Sequence, residues 1–219
     1  EEVRKGVLES VEGIDGSGTT SQARRIVERL SESGRPASFT CEPSGHPIGR
    51  LLREVLRHEQ RCTPATTALL FAADRLEHVE REVKPACAEG THVISDRYVY
   101  SSLAYQSLHE PMAWVAEVNA KAPEPDLTIY VRVTPEVAAE RRQLRGEADE
   151  LFDALELQRK IAGAYDGLLG DAPCAPAPRA VHGRQPLVAV VDGDGPFEDV
   201  AAALDALIDA ALPQLEEAP

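Results

Sequence analysis

Residues Gly13-Ile14-Asp15-Gly16-Ser17-Gly18-Thr19-Thr20 have the frame of a phosphate-binding loop, with threonine at the position where such loops carry lysine. Closely spaced glycines let a backbone wrap an anion, so that successive N–H groups and the start of a helix point at a phosphate. Gly13, Gly16 and Gly18 supply that freedom. In the usual motif the lysine reaches the β- and γ-phosphates, and the next Ser or Thr hydroxyl binds Mg²⁺. Thr20 can take the second role, but Thr19 cannot take the first. Around the loop, Val7, Leu8 and Val11 read as a short strand, while Ala23, Ile26, Val27 and Leu30 fall at helical spacing ahead of a stop at Gly34. A strand, a Gly-rich turn and a helix in that order are the context the loop requires.

The same alternation runs along the chain. Apolar runs at 7–11, 37–40, 93–95, 127–133 and 187–191 read as strands, and 48–56, 66–83, 111–121, 135–144, 155–169 and 200–212 read as helices. This pattern predicts an α/β fold with a five-stranded parallel sheet covered by helices on both faces. All of 1–219 is read as a single domain, and the Pro- and Ala-rich segment 172–186 as a surface loop. Glu9 and Ser10 interrupt what this fold makes a fully buried first strand. Three readings stand: an edge position, a partner for Glu9, or a misplaced boundary.

Composition narrows the function. At 219 residues and 43% hydrophobic content the chain can bury one sizeable core. A net charge of −14 argues against a broad nucleic-acid-binding face. Phosphate chemistry must then rest on local arginines in an acidic protein. Cys41, Cys62, Cys87 and Cys174 have no metal-ligand spacing and read as free thiols of a reducing compartment. The six histidines form no ligand spacing. No apolar run approaches a membrane span and no signal-peptide pattern opens the chain, so the expectation is a cytoplasmic enzyme. The missing initial methionine is read as a removed start residue or tag.

Four further segments occur in order: Glu42-Pro43-Ser44-Gly45-His46-Pro47-Ile48-Gly49, Leu70-Phe71-Ala72-Ala73-Asp74-Arg75, Asp96-Arg97-Tyr98-Val99-Tyr100-Ser101-Ser102-Leu103-Ala104-Tyr105-Gln106, and Pro125-Asp126-Leu127-Thr128-Ile129-Tyr130. With the loop at Gly13 this series resembles the thymidylate kinases, P-loop enzymes that phosphorylate dTMP to dTDP with ATP. The resemblance implies a P-loop NTPase-type three-layer fold with a short lid at about 141–152, ATP and Mg²⁺ as donor and metal, and a homodimer. It implies that the loop from Gly13 to Ser21 binds ATP, with Arg141 and Arg142 of the lid. Phe71 resembles the aromatic that stacks on thymine, and Arg75, four residues on and on the same helix face, the arginine at the base edge. Arg53 and Arg97 resemble the pair that holds the acceptor phosphate, a task suited to a planar donor fork. Ser101, Ser102, Tyr105 and Gln106 match the acceptor-side helix, Gln106 reading the base and Tyr105 lying near the sugar. Asp15 and Glu42 resemble acidic residues near the acceptor sugar and phosphate, and Asp96 the strand-end carboxylate that holds Mg²⁺ with Thr20.

Three positions depart from the pattern, and each removes a positive charge. Thr19 replaces the loop lysine, Cys41 stands where bacterial relatives commonly have Arg, and Leu151 stands where the lid commonly reads Asp-Arg-Phe. An active enzyme would then cover the missing charge with a lid arginine, Arg142 or Arg145. Two alternatives remain open: a nucleotide-binding protein without useful turnover, and a kinase for another deoxynucleoside monophosphate.

Overall fold

A computed structural model describes residues 6–146, 151–152, 154–170 and 187–216. The segment 172–186 and most of the tip of the 141–152 lid lie outside these residues. Five strands, β1 (Leu8–Glu12), β2 (Ala37–Cys41), β3 (His92–Asp96), β4 (Leu127–Arg132) and β5 (Leu187–Asp192), form one sheet in the order β2-β3-β1-β4-β5. Every pairing is parallel. The sequence-derived strands match these to within two residues at each end. They were legible because central parallel strands are buried on both faces and so run apolar.

Register assigns the two faces. Glu9 and Val11 share a face with Ile94, Phe39 and Leu127; Ser10 and Glu12 share the other with Thr128 and Tyr130. On the first face lies α1 (Thr19–Glu32), whose Arg24 guanidinium sits 3.9 Å above the Phe39 ring and whose Ala23, Ile26 and Leu30 are buried. Arg25 and Arg29 of α1 pair with Asp205 of α9 (Phe197–Glu216). The second face carries α5 (Val99–Tyr105) and α8 (Leu155–Leu169), where Tyr165 stacks on Tyr130 with ring centroids 5.2 Å apart. The chain order also includes α2 (Pro47–Leu56), α3 (Pro64–His78), α4 (Lys84–Ala88), α6 (Met112–Asn119) and α7 (Pro135–Arg145).

The helix expected over 66–83 differs at both ends. It starts at Pro64, with the Thr63 hydroxyl accepting from the Thr66 amide as an N-cap. It passes through a π-helical turn, Val79–Val83, before α4. Pro85 lacks the N–H that would continue the regular ladder, which accounts for the widened turn just before it.

The anomaly in β1 resolves partly. β1 is central, which removes the edge reading, and its boundaries hold. Ser10 donates to the Thr128 hydroxyl at 3.1 Å. Glu9 is 0% exposed, and its nearest ion-pair partner among the described residues, His92 Nδ1, is 3.9 Å from Oε1. Neither carboxyl oxygen has a hydrogen-bond partner among the described residues. Burial, with a smaller contribution from the Asp126 charge, pushes its pKa up to about 8. An ionised carboxylate is too costly to bury without close partners, so Glu9 is protonated at neutral pH. Among the described residues no helix is long and apolar enough to cross a membrane.

Candidate active site

The phosphate-binding loop joins β1 to α1 at the C-terminal edge of the sheet, where open α/β sheets gather ligands. Gly16 and Gly18 have φ of 94° and 86°, and Gly18 caps α1 in the left-handed region. A Cβ on Gly16 would lie 2.4 Å from the Ala138 carbonyl oxygen, so α7 packs directly on the loop. Arg142 is one turn beyond Ala138 on that helix, and its guanidinium donates to the Asp15 carbonyl oxygen. Arg141 turns instead to the segment after β5, donating to the carbonyls of Asp194 at 3.2 Å and Gly195 at 3.0 Å. Arg145 ends α7, and its side chain lies outside the described residues. Thr19 is buried and Ile14 belongs to the core, while Ser21 is exposed. Ser17 Oγ is buried with no hydrogen-bond partner among the described residues.

Thr20 Oγ1 donates to Asp96 Oδ2, and Asp96 Oδ1 is buried without a partner among the described residues. Asp96 faces α1 because it pairs with Val11 across β1 and β3. A hydroxyl and a carboxylate with an unused oxygen beside a phosphate loop are a donor set suited to Mg²⁺, which takes few protein ligands and keeps several waters. Among the described residues no group of three or more His, Cys, Asp or Glu is arranged to hold a metal ion.

Beside the loop is a cavity of about 130 Å³. Its lining includes Asp15, Glu42, Phe71, Arg75, Arg97, Ser101, Ser102, Tyr105 and Gln106, so nearly every acceptor-side residue expected from sequence is brought together. Pro43, Leu56, Tyr98 and Phe152 complete it. Arg53 is not on this lining. It donates to the carbonyls of Pro43 and Ser44 and lies 3.9 Å from the Cys41 sulfur, bracing the segment after β2.

Arg97 has φ of 70°, a conformation that side-chain-bearing residues seldom adopt. Its guanidinium donates to the Gly13 carbonyl at 2.8 Å, pairs with Asp15 Oδ1 and approaches Tyr105 Oη at 3.3 Å. Tyr105 Oη donates to Asp15 Oδ2 at 3.1 Å. Burial raises the Tyr105 pKa, so the phenol stays protonated as that donor.

Arg75 is 1% exposed and makes four hydrogen bonds within the protein besides its ion pair with Glu42. Nε and Nη2 hold Glu42 Oε2 at 2.8 and 2.7 Å, Nη1 reaches Ser102 Oγ and Asn119 Oδ1, and Nη2 also reaches the Tyr98 carbonyl. A base edge would meet a guanidinium already engaged by Glu42, Ser102, Asn119 and Tyr98. Gln106 is the opposite case: its Oε1 is buried with no hydrogen-bond partner among the described residues.

Several structuring residues escaped the sequence reading. Asp74 accepts from the Ser44 amide at 2.7 Å and the Ser44 hydroxyl at 2.6 Å, clamping the Glu42–Pro43 corner. It lies inside a segment singled out above, so its presence was visible and its task was not. His78, one turn past Arg75, lies 3.2 Å from Glu42 Oε1 and 2.6 Å from Thr40 Oγ1. Gln158 of α8 is fully buried and donates to Asp15 Oδ2 at 3.3 Å and to the Phe152 carbonyl at 2.7 Å. Glu12, immediately before Gly13, accepts from Tyr98 N, Ser101 Oγ and Tyr165 Oη. A carboxylate at the C-terminal end of a central strand was the one signal that pointed to it.

The sequence model of the thymidylate kinase family matches residues 11–174, which include the loop, the cavity lining and the lid helix. The chain belongs to the thymidylate kinase family. It is 42% identical over 167 residues to a probable thymidylate kinase of Pyrococcus abyssi, covering 74% of this chain and 82% of that protein. It is 37% identical over 207 residues to one of Pyrobaculum calidifontis, covering 94% of this chain and 97% of the relative. A probable thymidylate kinase of Methanococcus vannielii is 42% identical over 155 residues, 70% of this chain and 73% of its own. Members of this family are nucleoside monophosphate kinases, and the five parallel strands here fit their P-loop fold.

Proposed function

We propose that the chain transfers the γ-phosphoryl group of ATP to the 5′-phosphate of dTMP, giving dTDP and ADP. The observation that carries this reading is the unpartnered Gln106 Oε1 in a cavity that also holds Phe71 and Arg97 beside a phosphate loop. Thymine N3–H is a donor suited to that oxygen, and leaving it unmatched by a wrong base is costly. Phe71 offers a stacking face for the ring, and Arg97 suits the acceptor phosphate. Asp15 and Tyr105 lie where the sugar would pass.

In the reaction, an oxygen of the dTMP phosphate attacks the γ-phosphorus in line, and the bond to the β,γ-bridging oxygen breaks. No protein base is required, because a phosphate oxygen is already ionised at neutral pH. Thr20 and Asp96 would hold Mg²⁺, which when bound offsets negative charge on the donor phosphates. Arg142 supports the part that Thr19 cannot play, since its guanidinium already lies against the loop at the Asp15 carbonyl. Arg141, held at the segment after β5, suits the nucleoside end of ATP. Exposed Leu51, Leu69 and Met112 on α2, α3 and α6 support a homodimer. The protein would work in the cytoplasm, with no nucleic-acid or membrane partner.

A second reading, nucleotide binding without useful turnover, is favoured by the neutral, buried Thr19 in the lysine position. A coupled assay of ADP release with dTMP, dUMP, dCMP and dGMP separates the two. Turnover with preference for dTMP is the expected result. Binding of dTMP with no turnover of any monophosphate would favour the second reading, and preference for another monophosphate would overturn the choice of acceptor.

A further inference from the structure

Arg97 owes its place to three consecutive residues at the end of β1. Its own amide donates to the Val11 carbonyl at 2.9 Å, the next amide, Tyr98 N, donates to Glu12 Oε1 at 2.9 Å, and its side chain donates to the Gly13 carbonyl. A left-handed φ of 70° at a residue with a long side chain persists only where the surroundings fix it. Of the three residues on the β1 side only Glu12 contributes its side chain, so its contact can be removed by substitution; Ser95 Oγ also donates to the Arg97 carbonyl at 2.7 Å, and Asp15 and Tyr105 meet the guanidinium.

Glu12 is 0% exposed and is absent from the cavity lining, so it does not touch a ligand there. Its second oxygen accepts from Ser101 Oγ at 2.6 Å and Tyr165 Oη at 3.1 Å. Ser101 Oγ in turn lies 3.4 Å from Arg97 Nη1. One buried carboxyl group thus ties together the backbone after Arg97, the first turn of α5 and the face of α8. An amide could keep the Tyr98 contact by turning its NH₂ to the two hydroxyls, which also accept, so the lock is removed by alanine and not by glutamine.

We propose that Glu12 is a positioning residue for acceptor-phosphate binding: it locks the left-handed turn at Arg97 so that the guanidinium is presented to the cavity. The inference rests on the reading of Arg97 as a ligand of the dTMP phosphate. Loss of the lock would weaken a phosphate-bearing ligand and spare the same nucleoside without its phosphate.

The test is calorimetric titration of dTMP and of thymidine into wild type, Glu12→Ala, Arg97→Ala and the double variant, with Tyr165→Phe in case Glu12→Ala does not fold. Glu12→Ala is expected to weaken dTMP about tenfold, the effect of one lost hydrogen bond to a charged group, while thymidine affinity stays unchanged. Tyr165→Phe is expected to act in the same direction and less strongly. In the double variant Glu12→Ala adds nothing to Arg97→Ala, because both act on one contact. Equal weakening of dTMP and thymidine, or additive effects in the double variant, would overturn the positioning role. If Arg97→Ala itself leaves dTMP affinity unchanged, the acceptor-site reading fails and takes this inference with it.

Discussion

The two sides of the site, which meet at the end of β1, are built on opposite terms. On the acceptor side the charges are already paired within the protein: Arg75 makes four hydrogen bonds and an ion pair, Glu42 is held by Arg75 and His78, and Asp15 by Arg97, Tyr105 and Gln158. On the donor side the loop lacks its lysine, and Ser17 Oγ and Asp96 Oδ1 have no partners among the described residues. The two glutamates of β1 repeat the contrast: Glu12 on the acceptor face has three donors, whereas Glu9 on the α1 face has no hydrogen-bond partner among the described residues. Pre-paired charges fix the shape of a site that must discriminate among bases. The exception on the acceptor side is the uncharged Gln106 Oε1, left for the base, while the unpartnered atoms of the donor side suit a ligand that brings its own charge and metal.

Breaking a pre-paired charge should have the largest effect. Arg75→Leu leaves Glu42 buried without its cation and is expected to destabilise the fold by about 3–5 kcal/mol, read from denaturant unfolding. A loss below about 1 kcal/mol would mean that the acceptor side is less tightly preorganised than its contacts indicate.

A smaller effect should come from Glu9, and it depends on pH. Its folded pKa, about 8, lies above the unfolded value of 4.5, so the folded state retains a proton that the unfolded chain loses. Stability therefore falls as pH rises through the window from about 4.5 to 8, at up to about 1.4 kcal/mol per pH unit. Glu9→Gln removes that slope. Its stability relative to wild type should rise by on the order of 1–3 kcal/mol between pH 5 and pH 8. A difference that does not change with pH would show that Glu9 is ionised and paired after all.

The fold was legible because its signals are local: apolar runs mark strands buried on both faces, and a Gly-rich turn marks the loop. The cavity lining was legible through short segments whose residues lie within a few positions of one another, such as Phe71 with Arg75. What escaped is long-range. Glu12 meets Tyr98 and Tyr165 across separations of 86 and 153 residues, and Gln158 meets Asp15 across 143. No spacing rule connects such positions before the sheet brings them together. Arg53 was placed on the acceptor phosphate by resemblance, but its hydrogen bonds run to backbone carbonyls beside the cavity, a use of a guanidinium that sequence does not distinguish from ligand binding.

The central claim is that a lid arginine supplies the charge that Thr19 does not, and the most direct measurement is kcat for dTMP phosphorylation in wild type, Arg142→Ala, and Arg142→Ala combined with Thr19→Lys. The account predicts an active wild type, a loss on the order of 10²–10³ in kcat for Arg142→Ala, typical of removing one group that stabilises transition-state charge, and substantial recovery in the combined variant. An Arg142→Ala enzyme as fast as wild type, or a wild type that is silent until Thr19 becomes lysine, would contradict it.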